Sequence, residues 1–204
     1  MTKYYNEGWF GKHPAIYELA SFFIRALRRH AAGKMSKEKL KIIDIATGTG
    51  AHAYELARLG HQVTGIDLDE KMLQKASKKI NGNKNLIFAN GDGSNTSFSN
   101  AEFDAATISF AMHDVPYEIG INILKEAKRL INENGFIYIV DYNDLGSIGA
   151  KMLALVANLY ESPNYKPFVR RGLYEYLSVC GYRIADKSTF LGAVQFVKAI
   201  PVRV

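Results

Sequence analysis

The sequence predicts an α/β fold: a doubly wound, largely parallel seven-stranded sheet with an antiparallel C-terminal strand and helices on both faces. Two observations predict it. Short apolar segments bounded by turn residues alternate with segments of helical periodicity, which is the order that parallel strands with crossover helices require. A glycine-rich turn, Ala46–Gly50, joins the first of these strands to a helix, where its backbone can approach a bound ligand closely.

The first two thirds of the chain carry this alternation. An amphipathic helix over Pro14–Ala32 comes first, and Gly33 follows as its stop. Strands are then predicted at Lys41–Ala46, Gln62–Asp67, Leu86–Asn90, Phe103–Phe110 and Phe136–Asp141. The helices that connect them are predicted at Ala51–Leu59, Glu70–Ile80 and Tyr117–Ile131.

The last third predicts two helices and a β-hairpin. The helices are expected at Ser147–Tyr160 and Leu173–Cys180, and the strands at Arg183–Phe190 and Ala193–Ile200. Because the link Leu191-Gly192 is short, it is typical of a hairpin, and the last strand is expected to run antiparallel in the sheet.

Composition restricts the class of protein. The 204 residues are 48% hydrophobic, which is enough for one domain with a full core. Cys180 is the single cysteine, so no intramolecular disulfide forms and a reducing, cytoplasmic location is expected. No Cys/His cluster predicts a metal site. No apolar run reaches the roughly 18 residues of a membrane span.

The net charge of the chain bears on which binding partners are expected. The net charge of +6 permits peripheral contact with an anionic membrane surface. No nucleic-acid-binding module is recognisable, so no nucleic-acid partner is expected, and the oligomeric state is not predicted. A basic cluster lies at the end of the first predicted helix, where cations complement the helix dipole, and we interpret the cluster as stabilising that helix end. Its members are Arg25, Arg28, Arg29, His30 and Lys34.

Polar and small residues follow the predicted strands, where ligands of open parallel sheets bind. Gly48 and Gly50 can expose backbone amides and leave space for a ligand. Asp67 ends the second strand, and its carboxylate can accept hydrogen bonds from two ribose hydroxyls. Asp92 follows the third strand and can bind the exocyclic amine of adenine. The segment Ser109–Asp114 follows the fourth strand, where the reacting end of such a ligand would lie.

Two kinds of adenosine-containing cofactor fit this pattern. A dinucleotide favours G-x-G-x-x-G, and Ala53 stands at the third glycine position. S-adenosylmethionine instead needs an acceptor for its ammonium and donors for its carboxylate. Asp44 within the first strand, Asp92 and the fourth strand FDAATISF favour S-adenosylmethionine. Asp44 is expected either to orient the glycine turn or to interact with the ammonium.

The chain resembles the class I S-adenosylmethionine-dependent methyltransferases over Lys41–Tyr142. The motifs occur in order: DIATGTG, GIDLDEKML, NGD, FDAATISFAMHDV and RLINENGFIYIVDY. DIATGTG and FDAATISF are most similar to the ubiquinone/menaquinone biosynthesis C-methyltransferases. Ala46 replaces the first glycine of the first motif, and His113-Asp114 stands where that quinone family has an arginine-asparagine pair.

The resemblance implies a Rossmann-like methyltransferase that leaves S-adenosylhomocysteine as product. The acceptor would be a small molecule such as a lipophilic ring compound, for example a quinone precursor. The chain is expected to form a single methyltransferase domain of three parts. These are an N-terminal lid and helix (1–35), a cofactor-binding core (41–142), and acceptor-side helices with the C-terminal hairpin (143–204). The implied cofactor residues are Asp44, Ala46, Thr47, Gly48, Gly50, Asp67, Leu68, Met72, Gly91, Asp92, Gly93, Ser109 and Phe110.

Two other classes of function stay open. A cofactor-binding protein without catalysis would keep the same glycines and carboxylates but would turn over no acceptor. A protein or nucleic-acid methyltransferase would need a groove for its substrate, and the Asn/Asp-Pro-Pro-Tyr/Phe motif of some amino-methylating enzymes is absent after the fourth strand.

The acceptor end has several candidate residues. His113 is the candidate base because an ordinary imidazole titrates near neutral pH, although it could merely shape the pocket. Asp114 could orient His113 or cap the helix beyond Pro116. Tyr5, Trp9, His113 and Tyr142 are predicted to contact the acceptor.

Two segments have alternative roles. The aromatic N-terminal segment that contains Tyr4, Tyr5, Trp9 and Phe10 either closes over the ligands as a lid or packs against the sheet. The segment Ser147–Arg171 either forms the acceptor pocket or belongs to the core.

Overall fold

The computed structural model describes residues 14–35, 37–144, 146, 148–149, 151 and 162–202, with the backbone alone for 14–23. Within this part of the chain a sheet of seven strands has the order β3-β2-β1-β4-β5-β7-β6. The strands are β1 Lys41–Ile45, β2 Gln62–Asp67, β3 Leu86–Asn90, β4 Phe103–Ser109, β5 Ile131–Tyr142, β6 Tyr182–Phe190 and β7 Val194–Pro201. The helices are α1 Pro14–Lys34, α2 Ala51–Arg58, α3 Glu70–Ser77, α4 Tyr117–Leu130, α5 Tyr165–Arg171 and α6 Leu173–Val179.

The sheet is parallel except at β7. Strand β1 pairs in parallel with β2 on one side and β4 on the other, and β7 lies antiparallel between β5 and β6. The chain therefore runs outward from β1 to β3 and then crosses to β4, which makes the β1–β4 boundary the switch point where such sheets bind ligands. The predicted doubly wound α/β fold and its antiparallel last strand are confirmed.

The core lies on both faces of the sheet because its central strands are apolar on both faces. Alternation along β1 sends Ile43 and Ile45 into the cluster that packs on α4, α5 and α6. It sends Ile42 to the opposite face, where Leu27 of α1 and Leu56 of α2 cover it. Both layers are close-packed against the sheet, so the carboxyl ends of the strands are held firmly in place.

Two elements of the structure differ from the predictions, and one predicted helix is not tested. The predicted helix Tyr117–Ile131 ends at Leu130, because Ile131 has an extended backbone and pairs with Phe103 as the first residue of β5. Helix α5 has no counterpart among the predictions, although Tyr165, Phe168 and Val169 are buried at helical spacing. Most of the predicted helix Ser147–Tyr160 lies outside the described residues.

Candidate active site

The glycine turn folds over the carboxyl ends of β1 and β2. The Thr47 amide donates to the Ile66 carbonyl (2.9 Å) and the Gly50 amide to the Thr47 carbonyl (2.9 Å). Three residues of the turn have a left-handed backbone: Ala46 (φ 55°), Gly48 (φ 56°) and Gly50 (φ 70°). Ala46 thus stands, with a Cβ, in a conformation that favours glycine.

Asp44 holds this turn in place. Its carboxylate is buried and accepts hydrogen bonds from the Thr47 hydroxyl (2.6 Å) and the Thr107 hydroxyl (2.6 Å), one on each oxygen. The hydroxyl of Thr107 comes from β4, so the carboxylate ties the turn to the neighbouring strand. Of the two expected roles, the geometry favours the orientation of the turn.

The two predicted glycines have different surroundings. A Cβ on Gly50 would lie 2.4 Å from the Phe88 ring and 2.9 Å from the Ala76 Cβ, so this residue serves the packing of α2 against the sheet. A Cβ on Gly48 would meet no atom of the described residues within 4 Å. The open space at Gly48 agrees with the expected room for a ligand, whereas the Phe88 ring occupies the corresponding space at Gly50.

A cavity of about 130 Å³ lies beside the ends of β2 and β3. The Asp67 carboxylate accepts from the Gly48 amide (2.7 Å) and the Asp69 amide (2.9 Å), which ties the glycine turn to β2. Asp92 Oδ1 accepts from the amide (2.8 Å) and the hydroxyl (2.7 Å) of Ser94. No described residue donates to Asp92 Oδ2, so this oxygen can accept a hydrogen bond from a ligand.

A second cavity of about 1010 Å³ lies at the ends of β1, β4 and β5. Most of the predicted cofactor residues line one or both cavities. The smaller cavity is lined by Ala46, Asp67, Leu68, Gly91, Asp92 and Gly93. The larger is lined by Ala46, Thr47, Gly48, Met72, Ser109 and Phe110. Asp44 and Gly50 line neither cavity: Asp44 supports the turn through Thr47, and Gly50 ends the turn and packs on Phe88.

His113 faces the larger cavity and is fixed by Asp141. Its Nδ1 lies 2.6 Å from Asp141 Oδ1, and the histidine and the aspartate are 3% and 0% exposed. The amides of Met112 (2.9 Å) and Tyr142 (2.7 Å) donate to the same carboxylate, which holds it ready to accept the Nδ1 proton. In that tautomer Nε2 is the basic nitrogen. Asp141 is thus a site residue for which no role was predicted.

Asp114 does not cap the next helix. Helix α4 has Pro116 at its N-cap and no side-chain capping bond, so this alternative is wrong. The Asp114 carboxylate instead lies 3.5 Å from His113 Nε2. The short turn Met112–Asp114 is held from behind, because the Ser162 hydroxyl donates to the His113 carbonyl (3.2 Å) and the Asn164 amide group to the Asp114 carbonyl (2.9 Å).

Aromatic rings surround His113. The Tyr142 ring lies edge-on to it at 4.7 Å between centroids, and the Phe110 ring packs on Tyr142 at 5.8 Å. Tyr142 lines the cavity, and its contact with the acceptor stays a prediction. The other predicted acceptor contacts, Tyr5 and Trp9, lie outside the described residues, as do the rest of the predicted lid and residues 152–161.

The basic cluster of α1 reaches this site. Helix α1 continues to Lys34, so Arg25 and Arg28 lie before its last turn and the dipole interpretation fits Lys34 alone. The Arg28 Nε donates to the Ser109 hydroxyl at the end of β4 (3.1 Å). Periodicity placed these arginines on a helix but could not show which sheet edge the helix crosses.

The described residues contain neither a cluster of metal ligands nor a helix that could span a membrane. Among residues 14–35, 37–144 and 162–202, with the few others that the structure describes, no group of three or more metal-ligating side chains comes together. No helix in the same part of the chain is both long and apolar enough to span a membrane.

Known proteins resemble this chain in sequence and in fold. Residues 42–135 match the family model of a methyltransferase domain. A demethylmenaquinone methyltransferase of Staphylococcus saprophyticus is 30% identical over 132 residues, which span 62% of this chain and 56% of that protein. Its counterpart in Staphylococcus epidermidis is 28% identical over 171 residues, or 81% of this chain and 70% of the relative. The structure of an S-adenosylmethionine-dependent methyltransferase from Aquifex aeolicus superposes with a TM-score of 0.67 at 17% identity, covering 86% of this chain and 89% of that one.

Proposed function

We propose that this chain is an S-adenosylmethionine-dependent methyltransferase that methylates a small-molecule acceptor, and the match of residues 42–135 to a methyltransferase domain and the similarity to a demethylmenaquinone methyltransferase support this. One observation carries the proposal: His113, which is paired with the buried Asp141, lines the same cavity as Gly48 and Thr47 of the glycine turn. A base and a cofactor turn that share one cavity are what methyl transfer to a protic acceptor needs.

The residues of the two cavities fit S-adenosylmethionine. Gly48 leaves open the space above its Cα, and Asp92 Oδ2 is available to an adenine amine. Leu68 is 44% exposed beside the smaller cavity, where it can cover an adenine face. Asp67 keeps acceptor capacity for ribose hydroxyls beyond the two amides that it already binds. When bound, the cofactor supplies a methyl group on a sulfonium.

His113 is proposed to take the proton that the acceptor loses on methylation. The Asp141 carboxylate fixes the imidazole with its Nδ1 proton inward, and the resulting imidazolium is stabilised by the buried carboxylate. Asp141 acts through His113 and is therefore a positioning residue. The phenyl and phenol rings of Phe110 and Tyr142 restrict water around the base.

The aromatic wall supports an acceptor that contains a ring. The edges and faces of Phe110, Tyr142 and His113 lie against one another at the cavity, and flat rings pack well on such surfaces. The related staphylococcal proteins are named for a demethylmenaquinone substrate, which is also a ring compound. A quinone precursor is therefore the proposed example of the acceptor class.

Labelled S-adenosylmethionine and a cellular small-molecule extract test the proposal. Mass spectrometry should find a labelled small molecule after incubation with the wild-type protein. His113→Gln should lower the initial rate by about 100-fold or more, as expected for the loss of a general base. Asp141→Asn should do the same, while both variants bind S-adenosylhomocysteine as the wild type does.

Asp186→Asn is the matched control, because Asp186 is an exposed carboxylate on β6, away from both cavities. It should keep the wild-type rate. The absence of any labelled product would contradict methyl transfer and favour a binding protein without catalysis. Labelled protein or nucleic acid in place of a small molecule would contradict the acceptor class. Wild-type rates in both site variants would remove His113 from its role.

A further inference from the structure

The larger cavity has an excess of positive charge. Among the residues that the structure describes, six basic and two acidic side chains line it, and the acidic ones are Glu55 and Asp114. The basic residues are Arg25, Arg28, Arg29, Arg58, Lys78 and Lys79. They come from α1, from α2 and from the end of α3, so helices distant in sequence contribute to one basic wall.

Glu55 neutralises only part of this wall. Its carboxylate lies 3.4 Å from Arg29 Nε and 2.9 Å from Arg58 Nη1, so it is shared by two cations. Arg25, Lys78 and Lys79 form no ion pair with the described residues. The cavity therefore keeps an unbalanced positive potential beside the methyl-transfer site.

Lys79 experiences that potential directly. Its Nζ donates to the Thr49 carbonyl of the glycine turn (2.7 Å), which places the ammonium at the cavity. Burial, followed by repulsion from Arg25 and Arg28, lowers the pKa of Lys79. A bound anion would offset both effects.

Arg28 connects the basic wall to the candidate base. Its hydrogen bond to Ser109 holds the guanidinium at the end of β4, four residues before His113, and its Cζ lies 5.7 Å from the centre of the Phe110 ring. A ring packed on the aromatic side of the cavity would have its substituents within the field of these cations.

We propose that the acceptor carries an anionic group, a carboxylate or a phosphate, and that Arg25, Arg28 and Lys79 bind it. This inference rests on the proposed methyl transfer and specifies its substrate class. The cations confer specificity. An anionic acceptor gains charge-assisted hydrogen bonds, whereas a neutral one would leave Arg25 and Lys79 without an ion-pair partner among the described residues.

The carboxylate of the cofactor is the other source of the same chemistry. It brings a single negative charge, and the amides of the glycine turn also compete to bind it. Saturating the protein with S-adenosylhomocysteine, which carries that carboxylate, separates the two sources. Any anion that still binds to the saturated protein occupies a different site.

Calorimetry with phenyl phosphate and benzoate tests the proposal, with benzyl alcohol as the uncharged counterpart. Both anions should bind to the protein saturated with S-adenosylhomocysteine, and benzyl alcohol should bind at least about tenfold more weakly. Arg25→Gln and Lys79→Gln should each weaken the anions by about tenfold, the loss of one charged contact. Lys84→Gln, which removes an exposed cation outside both cavities, should leave them unchanged.

Four results would overturn the proposal: no binding of either anion, equal binding of benzyl alcohol, displacement of the anions by S-adenosylhomocysteine, or unchanged affinity in Arg25→Gln and Lys79→Gln. Arg25 is exposed, so its variant reports on the site even if Lys79→Gln folds poorly. Failure of S-adenosylhomocysteine itself to bind would contradict the proposed function instead. Anion binding to the cofactor-free protein with the same pattern of variants would then still support the basic site.

Discussion

Substitution of Gly48 by alanine separates the space for the cofactor from the strain of the turn. Gly48 has φ +56° and open space around its missing Cβ, and Gly82, in the loop after α3, has φ +75° and equally open space. Gly48 lines the larger cavity, and Gly82 lines neither cavity. Alanine therefore meets the same conformational penalty at both positions but approaches a ligand only at Gly48.

The expected magnitudes follow from these two environments. A left-handed alanine costs roughly 1–2 kcal/mol, and the lower entropy of the unfolded chain offsets about 0.4–1 kcal/mol of it. Each variant should thus lose about 1 kcal/mol of unfolding free energy, or about 2–4 °C in melting temperature. Gly48→Ala should in addition bind S-adenosylhomocysteine at least about tenfold more weakly, because its methyl group enters the ligand space.

Thermal unfolding with and without S-adenosylhomocysteine measures both quantities. At a ligand concentration of about 100 times the wild-type dissociation constant, the wild type and Gly82→Ala should gain about 2.7 kcal/mol, and Gly48→Ala about half of that or less. Calorimetric titration gives the affinities independently. If both variants bind the ligand as tightly as the wild type, the reasoning that Gly48 leaves space for the cofactor is refuted.

Three further predictions concern stability and use urea denaturation. Ala46→Gly should raise the free energy of unfolding by about 0.5 kcal/mol. Glycine removes the strain of the left-handed backbone (φ 55°), and this gain exceeds the entropic cost of a more flexible unfolded chain. A decrease in the free energy of unfolding would contradict this. Burial lowers the pKa of His52 below 6.5, so the unfolded chain binds this proton more readily. The free energy of unfolding should therefore fall, by up to about 1.4 kcal/mol per pH unit for this group, as pH drops below 6.5. His52→Leu should reduce that slope but leave the contribution of His61, whose pKa burial also lowers, and an unchanged slope would contradict this. The hydrogen bonds of Arg129 and Thr96 lower the pKa of Glu126 from 4.5 to about 2. About 3 kcal/mol of unfolding free energy, which is present above pH 4.5, should therefore be lost as pH falls towards 2. A Glu126→Gln variant whose unfolding free energy has the same dependence on acid pH would refute this.

The fold and the cofactor turn could be predicted because their signals are local. Strand β1, the glycine turn and α2 are contiguous in sequence, and Asp67 and Asp92 each end or follow a strand that periodicity identifies. Parallel strands bring their carboxyl ends to one edge, so sequence order alone placed these residues near one another. The packing of Gly50 against Phe88 was missed because the two residues lie on different elements, and the space between them depends on side-chain orientation.

The acceptor side could not be predicted in the same way. His113 and Asp141 are 28 residues apart, and Arg28 and Ser109 are 81 apart. Their contacts depend on which strands become neighbours and on the angle at which α1 crosses the sheet edge. An aspartate at the end of a strand is the one signal that could have indicated Asp141, since β5 lies next to β4 in the sheet.

The difference between the cofactor side and the acceptor side also limits what similarity to known proteins can reveal. The cofactor side is built largely by backbone conformation at strand ends, within the residues 42–135 that match the methyltransferase family. Asp141 and Arg28 both lie outside that segment, yet each determines the chemistry of the larger cavity. We expect changes at these positions to alter the charge of the cavity or the orientation of His113 while the hydrogen bonds of the glycine turn remain in place. Shared fold and cofactor therefore identify a methyl donor, whereas the acceptor must be inferred from residues that this chain brings to the cavity from outside the matched segment.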